Sequence, residues 1–111
     1  MKKVKVFYWT NLRWIQYGMF SKPDKPPTEE DMETDYCKVL ETEIEKPDSY
    51  DGEFLDYIFY ILNWKPQRWI KERPFEVQHM SMSIGDIVSI DDKESYICCP
   101  TGWEKLNFVP V

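Results

Sequence analysis

The sequence predicts an α+β domain: a small antiparallel sheet of four to six strands, with one main helix (about 52–63) packed on one face. Three observations carry that expectation. Residues 3–10 and 36–45 alternate side-chain character at period two, the signature of strands. Residues 52–63 place Phe54, Leu55, Ile58, Ile61 and Leu62 on one stripe at helical spacing. After residue 79, three turn signals (Ser83-Ile84-Gly85-Asp86, Asp91-Asp92-Lys93-Glu94 and Pro100-Thr101-Gly102) separate short strand-like runs. At 111 residues there is room for one core, so residues 1–111 are read as a single domain. Aromatic residues make up 16% of the chain, and large rings bring the most buried area per residue, so a core without covalent staples is feasible.

In chain order, the first strand sets Val4, Val6 and Tyr8 on one face and Lys3, Lys5, Phe7 and Trp9 on the other. Rings on the second face imply that it too is covered. Asn11 reads as a turn. Residues 12–20 read as a second strand or as a loop laying Trp14 and Tyr17 on the core. Three prolines in 21–28 mark a loop, because proline has no N–H to give a ladder. Glu29, Glu30, Asp31, Glu33 and Asp35 follow as a solvated acidic loop.

The second strand, Tyr36 to Glu45, sets Tyr36, Leu40, Thr42 and Ile44 on one side, with Lys38 as an exception, and Glu41, Glu43 and Glu45 on the other. Carboxylates on alternate strand positions stand about 7 Å apart, too far to hold a cation without further oxygen donors. Asp48, Ser49 or Asp51 is positioned to cap the helix, with Glu53 and Asp56 favoured by its dipole. Phe59 and Tyr60 fall off the apolar stripe, at the core rim or on an exposed patch. Residues 64–73 interleave Lys65, Arg68, Lys71 and Arg73 with Trp64 and Trp69, the only cationic cluster in the chain. Phe75 to Gln78 reads as a short strand, Ile87–Ile90 and Ser95–Cys99 as a hairpin, and Trp103 to Val109 as a closing strand with Leu106 and Phe108 facing inward.

Cys37, Cys98 and Cys99 form no metal-binding or disulfide spacing, so reduced thiols in a cytoplasmic protein are expected. No apolar run reaches the roughly 20 residues of a membrane span. The basic, then apolar, start alternates as a strand does and has no small-residue cleavage site, so no signal peptide is expected. Net charge is −6 and the isoelectric point about 4.8, which argues against generic phosphate binding. His79 is the single histidine, and no nucleophile elbow or phosphate-cradling glycine loop occurs. No catalytic, metal or cofactor residue is therefore expected, and oligomeric state is not legible.

One stretch is more specific. Met80-Ser81-Met82-Ser83-Ile84-Gly85-Asp86-Ile87-Val88, followed by Tyr96 and Gly102-Trp103, resembles the motif of the YodL-like family of small proteins from phages, plasmids and Firmicutes. It covers about a quarter of the chain, and the upstream strands and helix follow the family more loosely. Gly102-Trp103 stands where the family usually has Gly-Phe. The resemblance implies mobile-element cargo, of a kind also found beside anti-restriction modules. The leading expectation is a small acidic phage or mobile-element protein that acts by protein–protein binding. It would inhibit a host nucleic-acid-binding protein, in the manner of an anti-CRISPR or anti-restriction DNA mimic. Its contact residues would be Glu29, Glu30, Asp31, Glu33, Asp35, Glu41, Glu43 and Glu45, meeting a basic groove and no nucleic acid directly. Two alternatives stand beside it: a nucleic-acid accessory protein using Lys65, Arg68, Trp69 and Arg73, and a small enzyme pairing His79 with Cys98 or Cys99.

Overall fold

Strand β1 (Lys2–Trp9) is buried on both faces from Val4 onward, and the fold is built around it. The computed structural model describes residues 1–10 and 27–111; the turn expected at Asn11 and the segments 12–20 and 21–26 lie outside the described residues. The remaining elements are a short helix α1 (Asp31–Thr34), β2 (Tyr36–Ile44), the main helix α2 (Phe54–Trp64), a 3-10 turn (Pro66–Arg68), β3 (Ile87–Ile90), β4 (Glu94–Cys99) and β5 (Gly102–Lys105). The strands form one antiparallel sheet in the order β2-β1-β3-β4-β5. A strand with two pairing partners and two covered faces must be apolar through most of its length, and β1 meets that requirement.

One face of the sheet carries Val4, Val6, Tyr8, Val88 and Ile90 against Ile58, Ile61 and Leu62 of α2, extended by Ile70, Val77 and Met82. The opposite face gathers Phe7, Trp9, Tyr36, Ile87, Ile97 and Leu106, with Met32 of α1, Cys99 and Phe108 packed on it. Ser95, fully buried, donates through its hydroxyl to the Phe108 carbonyl and ties the chain end to this face.

Several expectations are corrected. The register of β1 with β2 runs from Val6↔Leu40 to Phe7↔Lys38, so Val39 is an extra residue in the strand. Such a bulge reverses the alternation beyond it. Tyr36 therefore joins Trp9 and Phe7, not Leu40 and Ile44, and Lys38 ceases to be an exception. Helix α2 begins at Phe54 after Glu53, which makes no side-chain cap, so none of Asp48, Ser49 or Asp51 serves as one. Phe75–Gln78 is not a strand: Val77 N–H closes a turn onto Pro74, and Val77 alone reaches the core. The closing strand stops at Lys105, with Leu106 and Phe108 still facing inward. In the β3–β4 turn Asp91 and Asp92 both have φ of 54°, in the left-handed region that short polar side chains tolerate. Among the described residues no helix is long and apolar enough to cross a membrane.

Candidate functional site

Among the described residues, three places concentrate functional chemistry: a buried carboxylate–imidazole pair, the acidic side of the sheet, and a row of rings along α2.

The first is built where the turn before β3 meets the end of β1. Gly85 takes φ of 96° and lies close under the Trp9 ring, where a Cβ would come within 3.2 Å of that ring. The Tyr36 hydroxyl donates to the Gly85 carbonyl at 2.7 Å, and Gly85 N–H and Cys98 N–H lock the turn to β4. Asp86, 0% exposed, accepts from Trp9 N–H at 3.0 Å, Ser83 N–H at 2.8 Å and the Ser83 hydroxyl at 3.3 Å. His79 Nε2 lies 3.0 Å from the same carboxylate, and its ring is stacked on both Tyr8 and Trp9, with centroids 4.5 and 3.9 Å away. Burial pushes the Asp86 carboxyl above its ordinary value, against the pull of His79 and the backbone donors. Burial likewise raises the Tyr8 hydroxyl, which donates to the Met80 carbonyl.

Serine, histidine and aspartate thus meet, but in the wrong order for nucleophilic catalysis. Ser83 sits on the carboxylate and on the Trp9 indole N–H, not on the imidazole. The other imidazole nitrogen, Nδ1, is buried with no partner among the described residues. Cys98 is pushed up to about 12 by burial and by Asp86, which opposes thiolate formation. Cys98 and Cys99 lie on opposite faces of β4, and Cys99 contacts Glu104. Burial also raises the Cys37 thiol, which contacts Glu76. This arrangement anchors one end of the sheet.

The acidic residues predicted as a contact surface divide into groups. Glu29, Glu30 and Glu33 on the α1 segment and Glu41, Glu43 and Glu45 on or just after β2 are exposed. Met32 anchors α1 on the Phe7–Trp9 face, and pairing with Lys5 and Lys3 puts Glu41 and Glu43 on that same side. Asp31 instead accepts from Thr28 N–H at 2.8 Å at the start of α1, and Asp35 is buried with 5% exposure. The expected solvated loop is therefore partly structural. Glu41 lies 2.6 Å from Lys38, whose ammonium holds the carboxyl below its ordinary value. Lys3 and Lys5 also reach Asp92, at 3.0 and 2.9 Å, so this side mixes signs.

The third place is a flank of α2, beside its buried stripe. Tyr57, Tyr60 and Trp64 fall at i, i+3 and i+7 and form a continuous row, with the Tyr60 and Trp64 rings 6° from parallel. Tyr50, from the loop before the helix, extends the row through contacts to Tyr57 at 5.1 Å and Tyr60 at 5.6 Å. Lys65 Nζ lies 4.6 Å from the Trp64 ring centroid and Arg68 lies 5.4 Å away. A cleft of about 310 Å³ is lined by Tyr60, Ile61, Trp64, Lys65, Arg68 and Trp69.

Known proteins add nothing to this geometry. No protein family, curated protein or solved structure matches the chain.

The carboxylate–imidazole pair escapes sequence reading, because nothing in the spacing of His79 and Asp86 says that they meet. The ring row is available in principle from the i, i+3, i+7 placement of Tyr57, Tyr60 and Trp64. The stronger apolar stripe beside it on α2 conceals it.

Proposed function

We propose that this protein works by binding another protein rather than by making or breaking bonds, as a mobile-element inhibitor of a host nucleic-acid-binding protein. The observation that carries this reading is the exposure of Glu29, Glu30 and Glu33 around the Met32 anchor of α1, with Glu43, paired with Lys3, exposed further along β2. Spaced carboxylates on a firm support present charge to a basic groove at little ordering cost. The motif resemblance to YodL-like proteins supports the mobile-element part, and the absorbed polar atoms of Ser83 and Asp86 support the non-catalytic part. Glu41, Asp31 and Asp35 contribute less than their formal charges, since each already serves another group.

The test is retention of bacterial lysate proteins on the immobilised full chain, compared with E29K/E30K/E33K. The recovered partner is then purified and challenged with its nucleic acid. The reading expects a nucleic-acid-binding partner, lost on charge reversal and displaced by nucleic acid. A retained set that ignores the reversal contradicts it.

A further inference from the structure

We propose that the ring row on α2 binds single-stranded nucleic acid, with bases laid on Tyr60 and Trp64 and phosphates held by Lys65 and Arg68. The inference concerns a different surface from the acidic side and stands or falls separately.

Three observations carry it. The first is unrelieved exposure: Trp64 is 57% and Tyr60 45% exposed, although α2 already buries its apolar stripe under the sheet. Tyr57, the inner ring of the row, packs against that core, while Tyr60 and Trp64 stay exposed beside it. The second is preorganisation. Tyr50 folds back across Gly52 so closely that a Cβ there would come within 2.6 Å of the ring. Its backbone is fixed by Tyr50 N–H to Pro47 and by Lys46 Nζ donating to the Tyr50 carbonyl at 3.0 Å. Tyr60 and Trp64 lie 6° from parallel, while Tyr57 is tilted 33° from Tyr60, so the Tyr60–Trp64 pair is the platform. Any base can stack on it, because every base has a π face.

The third is charge. The net −6 of the chain is not spread evenly. The segment after α2 carries Lys65, Arg68, Lys71 and Arg73 against Glu72. The carboxylates nearest the row in sequence, Asp51, Glu53 and Asp56, lie toward its Tyr50 end. A strand would therefore lay its bases on Tyr60 and Trp64, with its phosphates beside Lys65 and Arg68 and away from the acidic Tyr50 end. An acidic peptide would satisfy the cations but leave the row of planes unused, so a nucleic acid fits both features. Duplex DNA hides its base faces and fits poorly.

The experiment is fluorescence anisotropy of a labelled dT12 oligonucleotide titrated with the full chain at several salt concentrations. A matching duplex, sedimentation of the protein alone and Trp fluorescence accompany it. Trp64→Ala should weaken dT12 binding by about five-fold or more, and K65E/R68E should flatten the log–log salt slope by about 1.4. Phe75→Ala, which removes a ring 94% exposed but outside the row, should leave affinity unchanged. No binding at low salt, duplex bound as tightly as dT12, or W64A equal to wild type overturns the proposal. So does self-association that covers Trp64 and excludes the oligonucleotide. Circular dichroism of each variant separates a lost site from a lost fold.

Discussion

Beneath α2, the core is spread over a dozen apolar side chains, whereas at the start of β3 several buried donors converge on one carboxylate. In the first region Val4, Val6, Ile58, Leu62 and Val88 share the burial, and no single one fixes the arrangement. In the second, Asp86 alone gathers Trp9 N–H, Ser83 and His79. Apolar contacts are non-directional and a packed core relaxes partly around a loss. Buried donors aimed at one acceptor have no substitute, so their loss is concentrated. The contrast separates parts of the molecule that tolerate variation from a part that does not.

The largest expected effect is Asp86→Ala, which strands several buried donors and should cost about 3–5 kcal/mol in urea unfolding. A loss below about 1 kcal/mol would erase the distinction between the regions. Leu62→Ala should cost about 2–5 kcal/mol, with the same transition breadth, as a core loses methylenes. Asp86→Asn sharpens the contrast through pH. Because burial raises the folded carboxyl above its unfolded value, wild-type stability from this group is present below that unfolded value. It is lost as pH rises through the raised folded value. A carboxamide at this position does not titrate, so the D86N unfolding profile should lack that fall while losing stability overall. The smallest effect is kinetic: at pH 8 Cys99 should alkylate at least several-fold faster than Cys98, whose thiol is pushed up to about 12. Equal rates would mean that the interior face of β4 opens as readily as the other.

These same regions explain what is legible in the sequence. Ile58, Ile61 and Leu62 announce themselves by spacing because a helix buries one stripe, and β1 does so by alternation. The strand count falls in the expected range for that reason, with five strands among the described residues. Alternation misplaces Tyr36 because a one-residue bulge at Val39 leaves no mark on composition yet reverses the face of everything before it. Asp35 and Asp31 read as solvated because charge alone does not reveal a neighbour; their roles depend on where α1 docks. The Asp86–His79 contact joins residues 7 apart across a turn with no periodic signature, so only the fold reveals it. Tyr50 joins the ring row only because Gly52 leaves it space, a dependence between two loop residues that no pattern encodes.

The most direct test is calorimetric titration of the recovered protein partner against wild type, E29K/E30K/E33K and W64A/R68E. The account predicts roughly ten-fold or greater weakening for the acidic variant, where reversed charges face a basic groove, and unchanged affinity for the ring variant. Undiminished binding by E29K/E30K/E33K, or loss confined to W64A/R68E, would contradict it.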